Sequence, residues 1–371
     1  MSSHPDIEVI VKNIIEKIRS LEHEVNCAVA CVSGGVDSTT SAILAKKALG
    51  EKVYAVFIDT GFMRLNEGRR VKEALKGLID LEIHDYSEEF ISRIENISDA
   101  EDKRIAFREI FYTTVKRIAA EKRCSWIVQG TIKADVVETV GGVKTQHNVL
   151  SEKLLERYGF KVIEPLADLY KHEVRAIAKH LGLPNWITNR QPFPGPGLLV
   201  RTVGKLYREK LELVRRLTDI VEEMLKDKGF SQYFPAIWEY NVIESRIEGG
   251  FELEVYGVKV TGVIEGKRSY GHPIIVKRYP ADKNIYDLYK YFDTKSHPHI
   301  LVDIGDKGKD RGEYVVALRI ISTENFMVAE VPKVDFMELK SVAEKILAKE
   351  PKVRLVAFDV TPKPPATIEY E

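Results

Sequence analysis

The stretch Cys31–Thr40, "CVSGGVDSTT", decides how the first half of the chain is read. An apolar run, "VNCAVACV" (25–32), leads into it, and a helical pattern from Ser38 to Leu49 leaves it. Adjacent glycines at that junction predict a strand, a tight turn and a helix N-terminus. Converging backbone N–H groups and the positive end of a helix dipole then hold an anion without any basic side chain. Ser33 and Ser38 add hydroxyl donors. The same residues also suit a plain capped helix start, with Asp37 favourable in the first turn, and the loop alone leaves both readings open. If the anion is a polyphosphate, Asp37 is tolerated only with a divalent cation between the two negative groups, which points to Mg2+ and a chelated nucleotide. The lysine of the common phosphate loop, which reaches the β- and γ-phosphates, is missing. Nothing therefore marks the γ-phosphoryl group as the one to be moved.

Outward from the loop, "KVYAVFID" (52–59), "SWIVQG" (125–130) and "KVIEPL" (161–166) read as short strands buried on both faces. Helical patterns over 100–120 and 171–181 separate them, and this alternation predicts an α/β fold, a parallel sheet flanked by helices. The proline- and glycine-dense "RQPFPGPGLLVRT" (190–202) breaks the pattern. It divides the chain into a first domain over 1–190, a linker over 191–204 and a second domain over 205–371. In the second, Leu211, Val214, Leu217, Val221 and Met224 form one stripe of a helix from about Leu206 to Lys228, with Gly229 as its expected cap. Strand-like runs at 251–263, 313–322 and 353–360 and a helix over 335–350 starting at Asp335 make this a smaller α+β domain. The charged stretch 279–311 reads as a solvated insertion.

Lysine plus arginine equal aspartate plus glutamate at 56 each, which argues against a broad electropositive surface for nucleic acid. The first twenty residues carry scattered charges and no uninterrupted apolar segment, so no membrane span is expected there, and the cytoplasm is the expected location. The three cysteines, Cys27, Cys31 and Cys124, read as small core residues. Cys27 and Cys31, four apart in a strand, lie roughly 13 Å from each other, too far to bridge, and no disulfide framework is expected.

The motif "SGGVDS" resembles the signature of the ATP pyrophosphatases, which have an adenine-nucleotide α-hydrolase-like fold. "FIDTGFMR" (57–64), "QGTIKADVVET" (129–139), "VKTQHNV" (143–149), "PFPGPGLLVR" (192–201) and the tail "DVTPKPPATIEYE" (359–371) together resemble the ATP-pyrophosphatase subunit of GMP synthetases. The resemblance implies ATP and xanthosine 5′-monophosphate (XMP) as substrates, ammonia as the nitrogen donor, and GMP, AMP and pyrophosphate as products. It assigns ATP to Ser33, Gly34, Gly35, Val36, Asp37, Ser38, Thr39, Gly130 and Thr131, and catalysis to Asp37 and Lys144. Asp37 and Asp135 are the metal candidates, with Glu138 on the same predicted helical face as Asp135. XMP falls to Arg64, His147, Asn148, Arg201, Lys363, Ile368 and Glu369. The family's second domain mediates dimerisation, so a homodimer is implied.

Thr145 and Gln146 stand where the family has serine and histidine, and "GVIEGKRSY" (262–270) keeps Arg268 and Tyr270 of a family motif but not its aspartate. About 30 residues precede the loop, too few for a glutaminase domain, and the expected source of ammonia is a separate glutamine amidotransferase subunit or free ammonium. Another ATP pyrophosphatase, such as a tRNA thiolase, would want paired cysteines and a basic face. A non-catalytic nucleotide-binding regulator is the remaining alternative.

Overall fold

In the computed structural model, which describes residues 6–133, 135, 157–308, 311–324 and 327–371, the apolar run before the glycine turn is strand β1 (Ala28–Cys31). Helix α1 (Ile7–Arg19) precedes it, and α2 (Val36–Leu49), β2 (Val53–Asp59), α3 (Glu67–Ala74), β3 (Leu81–Asp85), α4 (Ser87–Ile94), α5 (Ala100–Lys122), β4 (Trp126–Val128), β5 (Lys161–Ile163), α6 (Lys171–His180) and α7 (Asn185–Thr188) follow. The five strands form one parallel sheet in the order β3-β2-β1-β4-β5, flanked by helices. Ala28, Val29 and Ala30 are fully buried, as a central parallel strand requires.

β1 hydrogen-bonds β2 on one side and β4 on the other, so the strand order reverses at β1. The carboxyl ends of two such strands open a crevice, which is the general ligand position in open α/β sheets. The edge strand β3 is absent from the sequence reading: "LEIHD" is short, and only Leu81 is buried, so it carries no continuous apolar run.

One sequence expectation is overturned in this sheet. Cys27 lies just outside β1 and forms a disulfide with Cys124, their Cα atoms 4.8 Å apart and 97 residues apart in sequence. The separation of Cys27 from Cys31 stands, and Cys31 is free. The bridging partner sits at the foot of β4, and parallel pairing of β1 with β4 brings it alongside; no local spacing rule reports that neighbour.

The chain divides into two units. The first takes in the described residues of Met1–Gly61, Asn66–Ser92 and Ala106–Gly195; the second, those of Phe62–Leu65, Arg93–Ile105 and Pro196–Glu371. The stretch expected as a linker is partly core: Gly197–Arg201 forms a 3-10 turn with every residue buried. Helix α8 (Arg208–Leu225) buries the predicted stripe, with Met224 half-buried, but it ends on the backbone of Lys226, and Gly229 lies beyond it.

The second unit holds strands β6 (Gln232–Glu239), β7 (Val242–Glu248), β8 (Phe251–Tyr256), β9 (Val260–Ile264), β10 (Lys267–Gly271), β11 (Ile274–Arg278), β12 (Ile300–Asp306) and β13 (Tyr314–Ile321). Helix α9 (Phe336–Lys349) and β14 (Val353–Asp359) complete it. Seven strands make one mixed sheet, β6-β13-β14-β12-β11-β8-β7, and β9 and β10 pair as a hairpin. Asp335 caps α9 by accepting from Met337 N at 2.7 Å. The expected insertion over 279–311 is corrected: β12 lies inside it, between β11 and β14, with Ile300, Leu301 and Val302 buried. Flanking charges masked a seven-residue central strand. Among the described residues no helix is long and apolar enough to cross a membrane.

The disulfide closes a long loop, so cross-linking removes much entropy from the unfolded chain. Reduction, or Cys27→Ser with Cys124→Ser, is expected to lower unfolding free energy by about 4 kcal/mol in guanidinium melts run with and without reductant.

Candidate active site

At the end of β1 the chain turns through Gly34, whose φ of +79° belongs to the left-handed region. A Cβ there would lie 2.5 Å from Val71 Cγ2, so no other residue fits. Gly35 is the N-cap of α2, and among the described residues no side chain caps that helix. The plain capped start that the sequence also allowed is therefore not the one adopted, and among the described residues the first N–H groups of α2 have no side-chain acceptor. Ser33 and Ser38 brace the turn instead: Ser33 N donates to Ser38 Oγ at 3.2 Å, Ser38 Oγ donates to Gly35 O at 3.2 Å, and the two hydroxyls lie 3.0 Å apart.

Gly130, just past β4, closes on the same helix end. A Cβ on it would lie 2.7 Å from Ser38 N and 2.9 Å from the Asp37 carbonyl carbon. The two glycine positions are thus brought together by the β1–β4 pairing. Thr131 is buried and donates to Glu164 Oε1 at 2.5 Å. Val36 and Thr39 are buried in the first turn of α2, and Thr39 Oγ1 has no hydrogen-bond partner among the described residues.

Asp37 splits its carboxylate between two environments. Oδ2 meets Lys171 Nζ at 2.5 Å, while Oδ1 is buried and accepts no hydrogen bond among the described residues. A hard carboxylate oxygen left over beside the head of α2 fits Mg2+, which is commonly held by one or two carboxylates together with substrate phosphates. Among the described residues no group of three or more His, Cys, Asp or Glu could hold a metal. Asp135 accepts from Ile132 N at 3.1 Å. Lys144, His147, Asn148 and Glu138 lie outside the described residues.

Sequence reasoning missed Lys171, the first residue of α6 and 134 positions from its partner. It also missed Glu67 and Arg190, which pair in bidentate fashion beside Gly34. Each pairing joins elements far apart in sequence, and only the tertiary contact signals it.

The second unit gathers several residues assigned to XMP. Arg201, wholly buried, grips Glu369 through two bonds of 2.9 Å, Nε to Oε2 and Nη2 to Oε1. Its guanidinium also lies 3.9 Å over the Phe234 ring. Ile368 is half-buried against the neighbouring core. The backbone of Lys363 pairs with that of Ala329, Lys363 N donating at 2.8 Å. Arg64 contacts Glu222 on α8, Nε lying 2.8 and 2.9 Å from the two carboxylate oxygens.

The tail that carries Glu369 is tied down on both sides of it. Glu371 meets Lys103 Nζ at 2.6 Å and accepts from Gly204 N at 2.7 Å, both partners lying within this unit. Burial pushes the Glu371 carboxyl up, and Lys103 partly offsets it. Tyr370 donates to Asp359 Oδ2 at 2.6 Å. Asp359 also meets His299 Nδ1 at 2.6 Å and Arg319 Nη1 at 3.2 Å. Burial alone would raise the Asp359 carboxyl, but Arg319, His299 and the hydrogen bonds outweigh it and hold it well below the usual carboxylate range.

Residues 299–370 match the family model described as GMP synthase C terminal domain, and residues 6–134 match that of NAD synthase. One of the subunits of the glutamine-hydrolyzing GMP synthase of Sulfurisphaera tokodaii is 48% identical over 351 residues, covering 93% of this chain and 94% of that protein. The chain belongs to the family of these GMP synthase subunits. The proteins of the same name from Saccharolobus solfataricus and Archaeoglobus fulgidus are 47% and 36% identical, over 92% and 99% of this chain and 93% and 100% of theirs. Family membership thus extends across both units, and it covers the glycine loop as well as the anchored tail.

Two outcomes are expected from this geometry. Gly130→Ala should destabilise the protein by about 1–3 kcal/mol in urea melts, because a methyl group there overlaps backbone rather than a movable side chain. A carboxylate whose pKa is depressed on folding adds stability above its unfolded value, near pH 4, and that stability drains as the pH falls toward the folded value. Urea melts should therefore show stability dropping below about pH 4, and Asp359→Asn should flatten that decline while costing about 3–5 kcal/mol at neutral pH, since buried cations lose their counter-ion.

Proposed function

We propose that the chain catalyses the ATP-dependent amination of XMP to GMP, with the glycine loop of the first unit holding the β- and γ-phosphates as a leaving unit. The observation that carries this reading is the uncapped N-terminus of α2, closed on by Gly130, in a chain of the GMP synthase family. The purine 2-oxygen attacks the α-phosphorus of ATP, the bond to the bridging oxygen breaks and pyrophosphate departs. Ammonia then adds at C2 of the adenylylated purine, and AMP leaves. Activation is needed because a ring carbonyl oxygen is a poor leaving group and AMP a good one.

The chain's own residues serve this scheme by positioning. Backbone N–H groups at the head of α2, with Ser33 and Ser38, hold phosphate oxygens, and charge growing on the departing pyrophosphate meets a fixed positive dipole end. Gly130 keeps the backbone close to the nucleotide. Asp37 Oδ1 is the proposed metal ligand, and Mg2+, when bound there, neutralises the outer phosphates. In the second unit Glu369 accepts from the purine, and Arg201 acts on XMP through Glu369 because its own guanidinium is buried. Arg64 and Lys363 are assigned to the 5′-phosphate. Lys144, His147 and Asn148 are assigned by family resemblance alone.

The ammonia is proposed to come from a separate glutaminase chain, in keeping with the relatives' designation as one subunit among others of a glutamine-hydrolyzing enzyme. We further propose a cytoplasmic homodimer formed through the second unit. Ile243 and Ile247, 54% and 80% exposed on the edge strand β7, offer it an apolar patch, and size-exclusion chromatography with light scattering tests the assembly.

Incubation with XMP, ATP, Mg2+ and ammonium chloride should yield GMP, AMP and pyrophosphate, whereas recovery of ADP would overturn the reading. Glutamine should replace ammonium only when the glutaminase chain is added. Asp37→Asn, similar in size but uncharged, should lower kcat by about two orders of magnitude or more without loss of fold, measured as XMP-dependent pyrophosphate release.

A further inference from the structure

Residues 361–367 of the second unit make a loop that its own backbone is poorly equipped to hold. Pro362, Pro364 and Pro365 carry no N–H, so the loop is short of donors, while the wholly buried Thr361 presents a carbonyl that needs a partner. One side chain serves both ends. Arg319, wholly buried on β13, donates from Nη1 to Thr361 O at 2.5 Å and from Nη2 to Thr367 O at 3.0 Å, and Nη1 also lies 3.2 Å from Asp359 Oδ2. The outer edge of the loop is fastened separately. Lys363 and Ala329 exchange two backbone bonds, of 2.8 and 3.0 Å, and β9 takes the far arm, Val263 N donating to Pro365 O at 2.7 Å and Thr261 N to Tyr370 O at 2.9 Å. The guanidinium is thus an internal brace that ties the start of the loop to its end.

Both residues assigned to opposite ends of the nucleotide hang from that brace. Lys363 stands two positions beyond Thr361, and Glu369 two beyond Thr367, so each continues a stretch of backbone whose carbonyl Arg319 holds. We propose that Arg319 is a positioning residue that fixes Lys363 and Glu369 at the spacing of one nucleoside 5′-monophosphate, so that phosphate and purine are recognised together. The inference rests on the proposed assignment of Lys363 to the 5′-phosphate and of Glu369 to the purine. The brace calls for arginine, because a planar fork offers two donors in fixed relation, whereas the ammonium of a lysine is a single point charge. Glu369 keeps anchors of its own, its carboxylate on Arg201 and its carbonyl on Thr261 Oγ1 at 3.1 Å. Loss of the brace therefore leaves the purine end in place and uncouples the phosphate end from it. A frame ordered in advance spares the ligand that cost, and only a ligand that spans both ends gains from it.

The test compares the whole chain with Arg319→Lys, which keeps a cation beside Asp359 but cannot bridge two carbonyls. XMP binding is measured by calorimetry, xanthosine binding by competition against XMP, and KM for XMP and for ATP from pyrophosphate release with ammonium chloride. Arg319→Lys is expected to weaken XMP binding and raise its KM by about 10- to 100-fold, the worth of a lost hydrogen bond from a charged group. Xanthosine, which has no phosphate to span to, should lose less, so the preference for XMP over xanthosine narrows, and KM for ATP should stay as in the wild type. A merely structural arginine would weaken XMP and xanthosine alike, or would lower the active fraction and leave both KM values alone; either result, or unchanged XMP affinity in the folded variant, would overturn the assignment. Should Arg319→Lys not fold, Arg319→Gln combined with Asp359→Asn removes the buried charge pair together and is read by the same comparison. Failure of the wild type itself to bind XMP would remove the assignments of Lys363 and Glu369 beneath the inference.

Discussion

Among the described residues no side chain caps the N-terminus of α2, and the glycine turn and Gly130 are packed around that helix start. An uncapped helix end leaves N–H donors looking for an acceptor, which is a cost in an empty protein and an asset beside a phosphate. The turn that produces it needs Gly34 in the left-handed region with no room for a Cβ, and Gly130 must pass within van der Waals reach of the helix backbone. Substitution at either glycine would push the wall of the cradle away from its floor. The serines fasten the turn to itself.

Charge is arranged around this end in pairs that leave something over. Asp37 gives one oxygen to Lys171 and keeps the other, while Glu67 and Arg190 satisfy each other alongside Gly34. The second unit uses the opposite style. Its last three side chains are all engaged: Glu369 by Arg201, Tyr370 by Asp359 and Glu371 by Lys103. Breaking a buried pair of that kind leaves an uncompensated charge, so residues 369–371 are firmly fixed. The carboxylate proposed to meet the purine, Glu369, gains from this, because its orientation is set before any ligand binds.

The disulfide between Cys27 and Cys124 belongs with the same theme of fixing β1 against β4. It ties together the two segments whose far ends carry the glycine loop and Gly130. The carboxyl ends of those two strands lie where the sheet opens a crevice, the general ligand position of such folds.

The sequence by itself determined the elements whose signal is local. β1, β2 and β4 are short apolar runs, α8 shows its helical period, Asp335 caps α9, and the order strand, glycine turn, helix announced the turn before α2. The motifs from "SGGVDS" to "PPATIEYE" carried the family as well. It could not show β3 or β12, because an edge strand with alternating exposure and a central strand wrapped in charged residues lack the continuous apolar run that reports a buried strand. Nor could it show that Cys124 faces Cys27, that Lys171 neutralises Asp37, or that Arg201 reaches Glu369. Those contacts join residues 97, 134 and 168 positions apart, and their existence depends on strand order and helix docking rather than on any spacing along the chain. Hydrophobic periodicity is a property of neighbours in sequence, whereas the pairing of charges and sulfurs is a property of neighbours in space, and only the folded sheet turned the second kind of neighbour into a site.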